Sequence, residues 1–591
     1  MQKVVKTLTM SINGSLKNLK YFSSGFSKAF WVSSISVGFA LLLMFYFLAG
    51  EGRGNLAWHV RPAAHFGITD VLQNHNIEPL YIGPGNVGWD GQFYFAIAND
   101  LKMGADTASH MDVAATYRYQ RIGLPLAANA VALLSFQKWV TPLVYWGTNL
   151  ILLFWGTFAL ASILRRVGLS PTWALFWSLS AGVQVTVLSG LPDAAGDAFF
   201  LIAIDCLLRG RFPLYSVAII MAVLSRESFV FAAAGIFLAY AYLHRAQLKS
   251  LILSLYTKLF LLALPGIVFA AWQLSIYLRF GKFPSQEPGV AGAIVSKPFV
   301  AWYEALQRAV SDGSAFFAGS LANSQVPLAP TFFLLLVSFA ASLYLLRNKH
   351  GAMSANSALI GAAFLPLPLL ATTFGPIVTI HWTGYLKATA ILLVPVMLAL
   401  STLNARHLRT LGVALTCFAL LQMPGLWSWA GTNGAANEYS SEEIFWGNKE
   451  SSFQTESACL SDYKSKITLL RFQNFDVTNF YRAVIGLPPR YLLDLEVENL
   501  GAEAWLHTQG KGSVNLAGRW IDEKSGQEIA RTRLAVIGGQ LAPLERRKLH
   551  LIIEGARPSA GAKLILSMVQ EGCGWFYEAG DSGFVDMGRF R

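Results

Sequence analysis

The chain has 591 residues, of which 54% are hydrophobic and 14% charged, with 46 Lys and Arg against 34 Asp and Glu for a formal net charge of +12. Several separate apolar runs approach the ~20 residues that cross a bilayer's hydrocarbon core, which excludes a soluble globular class and points to a polytopic membrane protein. The positive charge falls in short clusters between those runs, as cytoplasmic loops do, and this argues against nucleic acid as a partner.

Residues 1–28 form a basic tail carrying Lys3, Lys6, Lys17, Lys20 and Lys28, followed by an apolar run from Ala29 to Gly50 without a small-residue cleavage site. This reads as a retained signal anchor with a cytoplasmic amino end. The clusters Arg165-Arg166, Arg209 with Arg211, His244-Arg245 with Lys249, Arg347 with Lys349, and Arg406 with Arg409 should all face the cytoplasm. One path satisfies them, with about eleven spans near 29–49, 140–164, 172–190, 195–208, 212–225, 228–243, 258–279, 330–346, 357–375, 386–403 and 408–429. It leaves residues 51–139 as a large outside loop and the carboxyl-terminal region outside. The apolar run Ile122 to Gln137 is placed along the outer surface, because counting it as a span would carry Arg165-Arg166 outside.

In the first outside loop, Gly88-Trp89-Asp90-Gly91-Gln92-Phe93-Tyr94 is the most informative stretch. Phe93, Ala96 and Ile97 have helical spacing, which puts Asp90 at the amino end of a short helix, as a helix cap or as a functional carboxylate. Further on, Tyr117-Arg118-Tyr119-Gln120-Arg121 sets Arg118 and Arg121 three apart on one helical face, on the side of the membrane where basic residues are depleted. Two readings stay open: contact with a lipid phosphate, which suits guanidinium geometry, or snorkelling and pairing with Asp106, Asp112 or another loop carboxylate.

Arg226 and Glu227 interrupt an apolar stretch at its outer turn, where ionisable residues are costly unless paired or functional. Asp193 and Asp197 lie in another outside turn, as helix caps or as a second acid. The loop from Gly281 to Pro330 could cover a site or admit an acceptor. In the turn before the tenth span, His381 and Lys387 could clasp phosphate, while Trp382 and Tyr385 suit an interface belt.

Beyond Trp429 polarity rises. Residues 431–489 read as a linker and irregular segment, and residues 490–591 as a domain of short alternating strands, exemplified by Leu493-Asp494-Leu495-Glu496-Val497-Glu498. Cys459 and Cys573 would share an oxidising compartment outside, although no spacing rule pairs them. The chain carries no P-loop, zinc-type cluster or serine elbow.

The order of basic tail, first span, outside loop with Trp89-Asp90, surface helix and a span ending in Arg165-Arg166 resembles the GT-C class of polyprenyl-phosphate-dependent glycosyltransferases. Trp89-Asp90-Gly91-Gln92-Phe93-Tyr94, Tyr117-Arg118-Tyr119-Gln120-Arg121 and Leu224-Ser225-Arg226-Glu227-Ser228 are most similar to bacterial membrane proteins of cell-surface glycopolysaccharide formation. Val497-Glu498-Asn499-Leu500-Gly501, Trp505, Arg519-Trp520-Ile521-Asp522 and Gly574-Trp575-Phe576 resemble an Ig-like β-sandwich module of such enzymes.

The resemblance implies a GT-C-like domain over 29–430 and a multi-pass protein of the bacterial inner membrane with a periplasmic sandwich. It implies inverting transfer of a sugar from a polyprenyl phosphate to a cell-envelope glycan, lipid or protein, with Asp90 as general base. It makes Arg118, Arg121, Arg226, Lys387 and His381 donor-phosphate contacts, and Trp89, Gln92, Tyr94, Tyr119, Gln120 and Glu227 substrate contacts. No cofactor is expected, and Asp90's lack of an acidic neighbour argues against a required divalent metal. The alternatives are a glycan-lipid transporter or flippase, and a polysaccharide polymerase or ligase.

Overall fold

The computed structural model describes residues 27–49, 56–60, 69–71, 89–111, 115–247, 253–287, 294–311, 328–347, 354–380, 382–401, 405–432, 457–474, 490–506, 511–536, 540–554, 562–581, 583 and 585–589. The basic tail up to residue 26, residues 288–293 and 312–327 of the Gly281–Pro330 loop, the 433–456 linker, Asp112 and His381 lie outside them.

The helical region contains α1 (Ser27–Ala49), α2 (Gly91–Asn99), α3 (Ala115–Gln120), α4 (Gly123–Leu134), α5 (Pro142–Arg166), α6 (Ala181–Leu188), α7 (Pro192–Leu208), α8 (Phe212–Ser225), α9 (Phe229–Leu243), α10 (Leu253–Phe280), α11 (Leu328–Arg347), α12 (Trp382–Thr389), α13 (Leu393–Leu400) and α14 (Ala405–Thr432), among other short helices. Five helices among the described residues are long and apolar enough to cross a membrane: α1, α5, α10, α11 and the composite Thr383–Leu400. A sixth arises if α6 and α7, bent by 116°, count as one broken span.

Eleven full spans are therefore not found among the described residues. At 1.5 Å per residue, α8 and α9 with 14 and 15 residues reach only ~21–23 Å of the ~30 Å core. The segment 172–190 is divided into a 3₁₀ turn, a four-residue helix and α6. The 357–375 run is broken at Pro366, the first residue of a new short helix. Apolar run length reports burial; here much of that burial is helix against helix.

One buried cluster joins side chains from Ala29 to Leu426. Within it α2 is buried from Gly91 to Ala98, so the short helix expected after Asp90 is an interior element. Gly91 permits this: a Cβ there would collide with the carbonyl oxygen of Ser189. The surface-helix expectation for Ile122 to Gln137 corresponds to α4, which ends in the exposed Leu133 and Leu134 and is followed by the exposed Phe136.

The carboxyl-terminal region is built of antiparallel strands: β1 (Ser465–Asn474), β2 (Arg490–Asn499), β3 (Trp505–Leu506), β4 (Val514–Asp522), β5 (Glu528–Val536), β6 (Gln540–Leu541), β7 (Arg546–Glu554), β8 (Ala562–Gln570), β9 (Gly574–Trp575) and β10 (Val585–Arg589). They form a sheet ordered β1-β2-β7, a sheet ordered β10-β8-β4-β5 with β9 on β8, and a small β3-β6 pair. Leu493, Leu495 and Val497 from one sheet join Leu516, Trp520, Leu564 and Leu566 from the other in one buried cluster with Trp505. Trp505 and Trp520 are thus core residues.

The strands begin earlier than residue 490. β1, inside the stretch expected to be irregular, pairs with β2 from Ser465 opposite Asn499 to Asn474 opposite Tyr491. A register shift between Leu469 and Arg471 breaks its alternation, which is why no period-two pattern is visible there. Cys459 and Cys573 form a disulfide, spanning 114 residues.

Candidate functional site

Asp90 precedes α2 with helical backbone angles, φ −54° and ψ −20°, rather than the extended ones of a capping residue, and its side chain makes no cap hydrogen bond. The carboxylate turns to α3 instead. Arg118 donates through Nη2 to Asp90 Oδ1 at 2.9 Å, and its Nη1 lies 2.8 Å from Oδ2, a bidentate pair. The guanidinium is nearly sealed, at 4% exposure, and packs over the rings of Phe93, Tyr117 and Tyr94 at 5.0, 5.7 and 5.9 Å. Asp90 keeps 35% of its side chain open. Burial raises the Asp90 pKa, but Arg118, Lys387 and Arg121 outweigh it and hold the carboxyl below its ordinary range.

Arg121 continues this arrangement. Its Nε and Nη2 donate to Glu227 Oε2 and Oε1 at 2.8 and 2.7 Å, while its guanidinium covers Tyr117 at 4.9 Å. Burial opposes ionisation of Glu227, yet Arg121 brings its pKa down to about 2. Glu227 and Arg226 lie in the break between α8 and α9. Arg226 reaches Asp197 Oδ1 through Nη1 at 3.4 Å and the Ala388 carbonyl through Nη2 at 2.5 Å. Trp177 Nε1 donates to the other oxygen of Asp197 at 3.3 Å.

Lys387 sits on α12, half-buried. The backbone of α12 is held against α6, where a Cβ on Gly182 would strike the Leu386 carbonyl. From there Lys387 acts on Asp90 electrostatically, and it has no salt bridge of its own among the described residues. The three arginines each have a carboxylate partner; Lys387 does not. Buried hydroxyls of Ser189, Ser225 and Ser228, on the same elements, meet no hydrogen-bond partner among the described residues.

The structure thus gathers Asp90, Tyr94, Arg118, Arg121, Glu227, Arg226 and Lys387. Trp89 and Gln92 are buried at the start of α2. Tyr119 and Gln120 are engaged elsewhere: the Tyr119 hydroxyl donates to Asp100 Oδ2 at 3.2 Å, its carbonyl accepts from Trp272, and Gln120 Oε1 accepts from Gln273. These two contacts tie α3 to α10. Tyr385 packs near Trp302, with ring centroids 6.2 Å apart.

Two partners were beyond sequence reasoning. Asp197 is named there only as a cap or second acid, and the structure makes it the counter-ion of Arg226. Glu287, 3% exposed, accepts from Thr116 Oγ1 at 2.6 Å and Lys282 Nζ at 2.7 Å, fastening the start of the Gly281 loop to α3. Only the rarity of buried Glu could have marked it, and burial is not legible in a loop. No group of three or more His, Cys, Asp or Glu placed to hold a metal occurs among the described residues. No family model, curated protein or solved structure matches the chain.

Proposed function

We propose that this protein is a membrane glycosyltransferase of the GT-C type, moving a sugar from a polyprenyl-phosphate donor to a cell-envelope acceptor outside the cytoplasmic membrane. The observation that carries the reading is a partly open carboxylate, Asp90, fixed by Arg118 instead of capping its helix and faced by Lys387, which has no salt bridge among the described residues. An acceptor hydroxyl oxygen attacks the anomeric carbon as the carbon–oxygen bond to the donor phosphate breaks. Asp90 takes the hydroxyl proton, and the electron pair of the broken bond leaves on the polyprenyl phosphate with inversion. A positioned base of this kind supplies ~10² to 10⁴ in rate.

Among the described residues of the site, Lys387 is the cation available to the leaving phosphate, since Arg118, Arg121 and Arg226 already carry carboxylates. The hydroxyls of Ser189, Ser225 and Ser228, unpartnered among the described residues, are suited to a polar, hydroxyl-rich ligand. We read the two carboxyl-terminal sheets as an Ig-like sandwich on the periplasmic side, a reading favoured by the Cys459–Cys573 disulfide, which belongs to an oxidising compartment.

A glycan-lipid transporter is the second reading. The 116° break between α6 and α7, beside the buried Arg226–Asp197 pair, is the kind of discontinuous helix that transporters use around a substrate. Sugar transfer in proteoliposomes separates the two, using a panel of labelled polyprenyl-phosphate sugars, cell-envelope acceptors and the wild-type and Asp90→Asn chains. A loss of ~10² or more in folded Asp90→Asn is expected. Absence of transfer from every donor, or full activity in Asp90→Asn, favours the transporter.

A further inference from the structure

Arg226 and Glu227 are consecutive, yet they grip different parts of the molecule. Glu227 holds Arg121 with both oxygens, just past the end of α3, the helix that carries Arg118 and through it Asp90. Arg226 donates to the carbonyl of Ala388, the residue after Lys387, and to Asp197 on α7. A continuous path follows: Lys387, the Ala388 carbonyl, Arg226, Glu227, Arg121, Arg118, Asp90. Its noncovalent links are charge-assisted hydrogen bonds, and two are planar forks that fix orientation as well as distance.

We propose that Arg226 and Glu227 are positioning residues, a strut across the α8–α9 break that sets where Lys387 stands relative to Asp90. This rests on the glycosyl-transfer reading above. A base and a phosphate cation on separate helices must be placed together to within a fraction of an ångström to act in one transition state, and an apolar contact between smooth helix surfaces would let them slide. The strut prevents that sliding. It also explains why two ionisable residues occupy an apolar environment without either one reaching toward Asp90 directly.

The test uses the full chain in proteoliposomes, comparing wild type, Asp90→Asn, Glu227→Gln, Arg121→Gln and the double variant Arg121→Gln/Glu227→Gln. Folded protein is quantified in each so that kcat is per folded molecule. Loosening the strut lowers kcat about 10²-fold. In Glu227→Gln the acidic limb of the pH profile keeps its shape, because Asp90 and the cations acting on it, Arg118, Lys387 and Arg121, are unchanged. The double variant loses no more than the worse single one, since the pair acts as a unit. It leaves no uncompensated charge, so it reports even where a single variant fails to fold. A merely stabilising pair would lower Tm and folded yield and leave kcat intact.

No transfer by wild type, or full transfer by Asp90→Asn, overturns the reaction itself. Transfer by wild type and none by Asp90→Asn, with wild-type kcat in folded Glu227→Gln or in the double variant, overturns the strut alone. So do fully multiplicative losses from the two single substitutions.

Discussion

The helical region and the carboxyl-terminal sheets handle charge in opposite ways. Among the helices, Arg226 and Asp197 pair at 9% and 1% exposure, and Arg118 reaches Asp90 from a sealed aromatic box. In the sheet region most pairs lie at the rim, Arg546 with Glu498, Arg531 with Glu578 and Arg547 with Glu545, around a core of aliphatic and aromatic residues; Arg519 with Glu528 is half-buried. A rim pair exchanges one well-solvated state for another, whereas a sealed pair has given up its water and depends on its partner. Charges in the sheet region decorate a fold that packing already determines; those among the helices hold elements in register.

Breaking one pair of each kind sharpens that contrast. Asp197→Ala leaves the Arg226 guanidinium buried and unable to lose its proton, and should cost about 3–5 kcal/mol. The readout is the thermal melt of the purified protein in detergent; an unchanged Tm would contradict the dependence. The sheet region answers more to its covalent tie. Cys573→Ser removes a bridge closing a long loop and should cost that region about 2–5 kcal/mol, read by limited proteolysis of the carboxyl-terminal strands with the helical region intact.

A smaller effect separates Glu227 by pH. Its folded pKa of about 2 lies below the ordinary 4.5, so its contribution is complete above about 4.5 and is lost as pH falls toward 2. The Tm gap between wild type and Glu227→Gln should therefore be widest at neutral pH and close on acidification through that window; a gap that widens would reverse the assignment. The smallest change is expected at the rim, where Arg546→Ala should move stability by less than about 1 kcal/mol, with a melt indistinguishable from wild type.

Legibility in the sequence followed the same division. The alternation of Leu493, Leu495 and Val497 identified β2, because a strand with one buried face writes that face into every second residue. β1 escaped, since its bulge shifts the phase midway. Asp90 was picked out by its neighbours Trp89 and Phe93, but its two readings divided on a backbone angle that no spacing supplies. Arg118 lies on α3 and Arg121 just past its end, so the expected shared helical face stops one residue short; that one would turn to a carboxylate 28 residues away and the other to one 106 residues away was not inferable from their spacing.

Composition and hydropathy by themselves determined a helical protein with several membrane-length apolar helices and a separate strand-rich carboxyl-terminal region, because each residue's preference for water or for apolar surroundings is local and additive along a run. The tertiary structure decided which of those runs are long enough to span, that α2 is interior, and which carboxylate answers which arginine. Those outcomes depend on distances between segments far apart in the chain, and a Coulomb partner is chosen by proximity in space, whatever its separation in sequence.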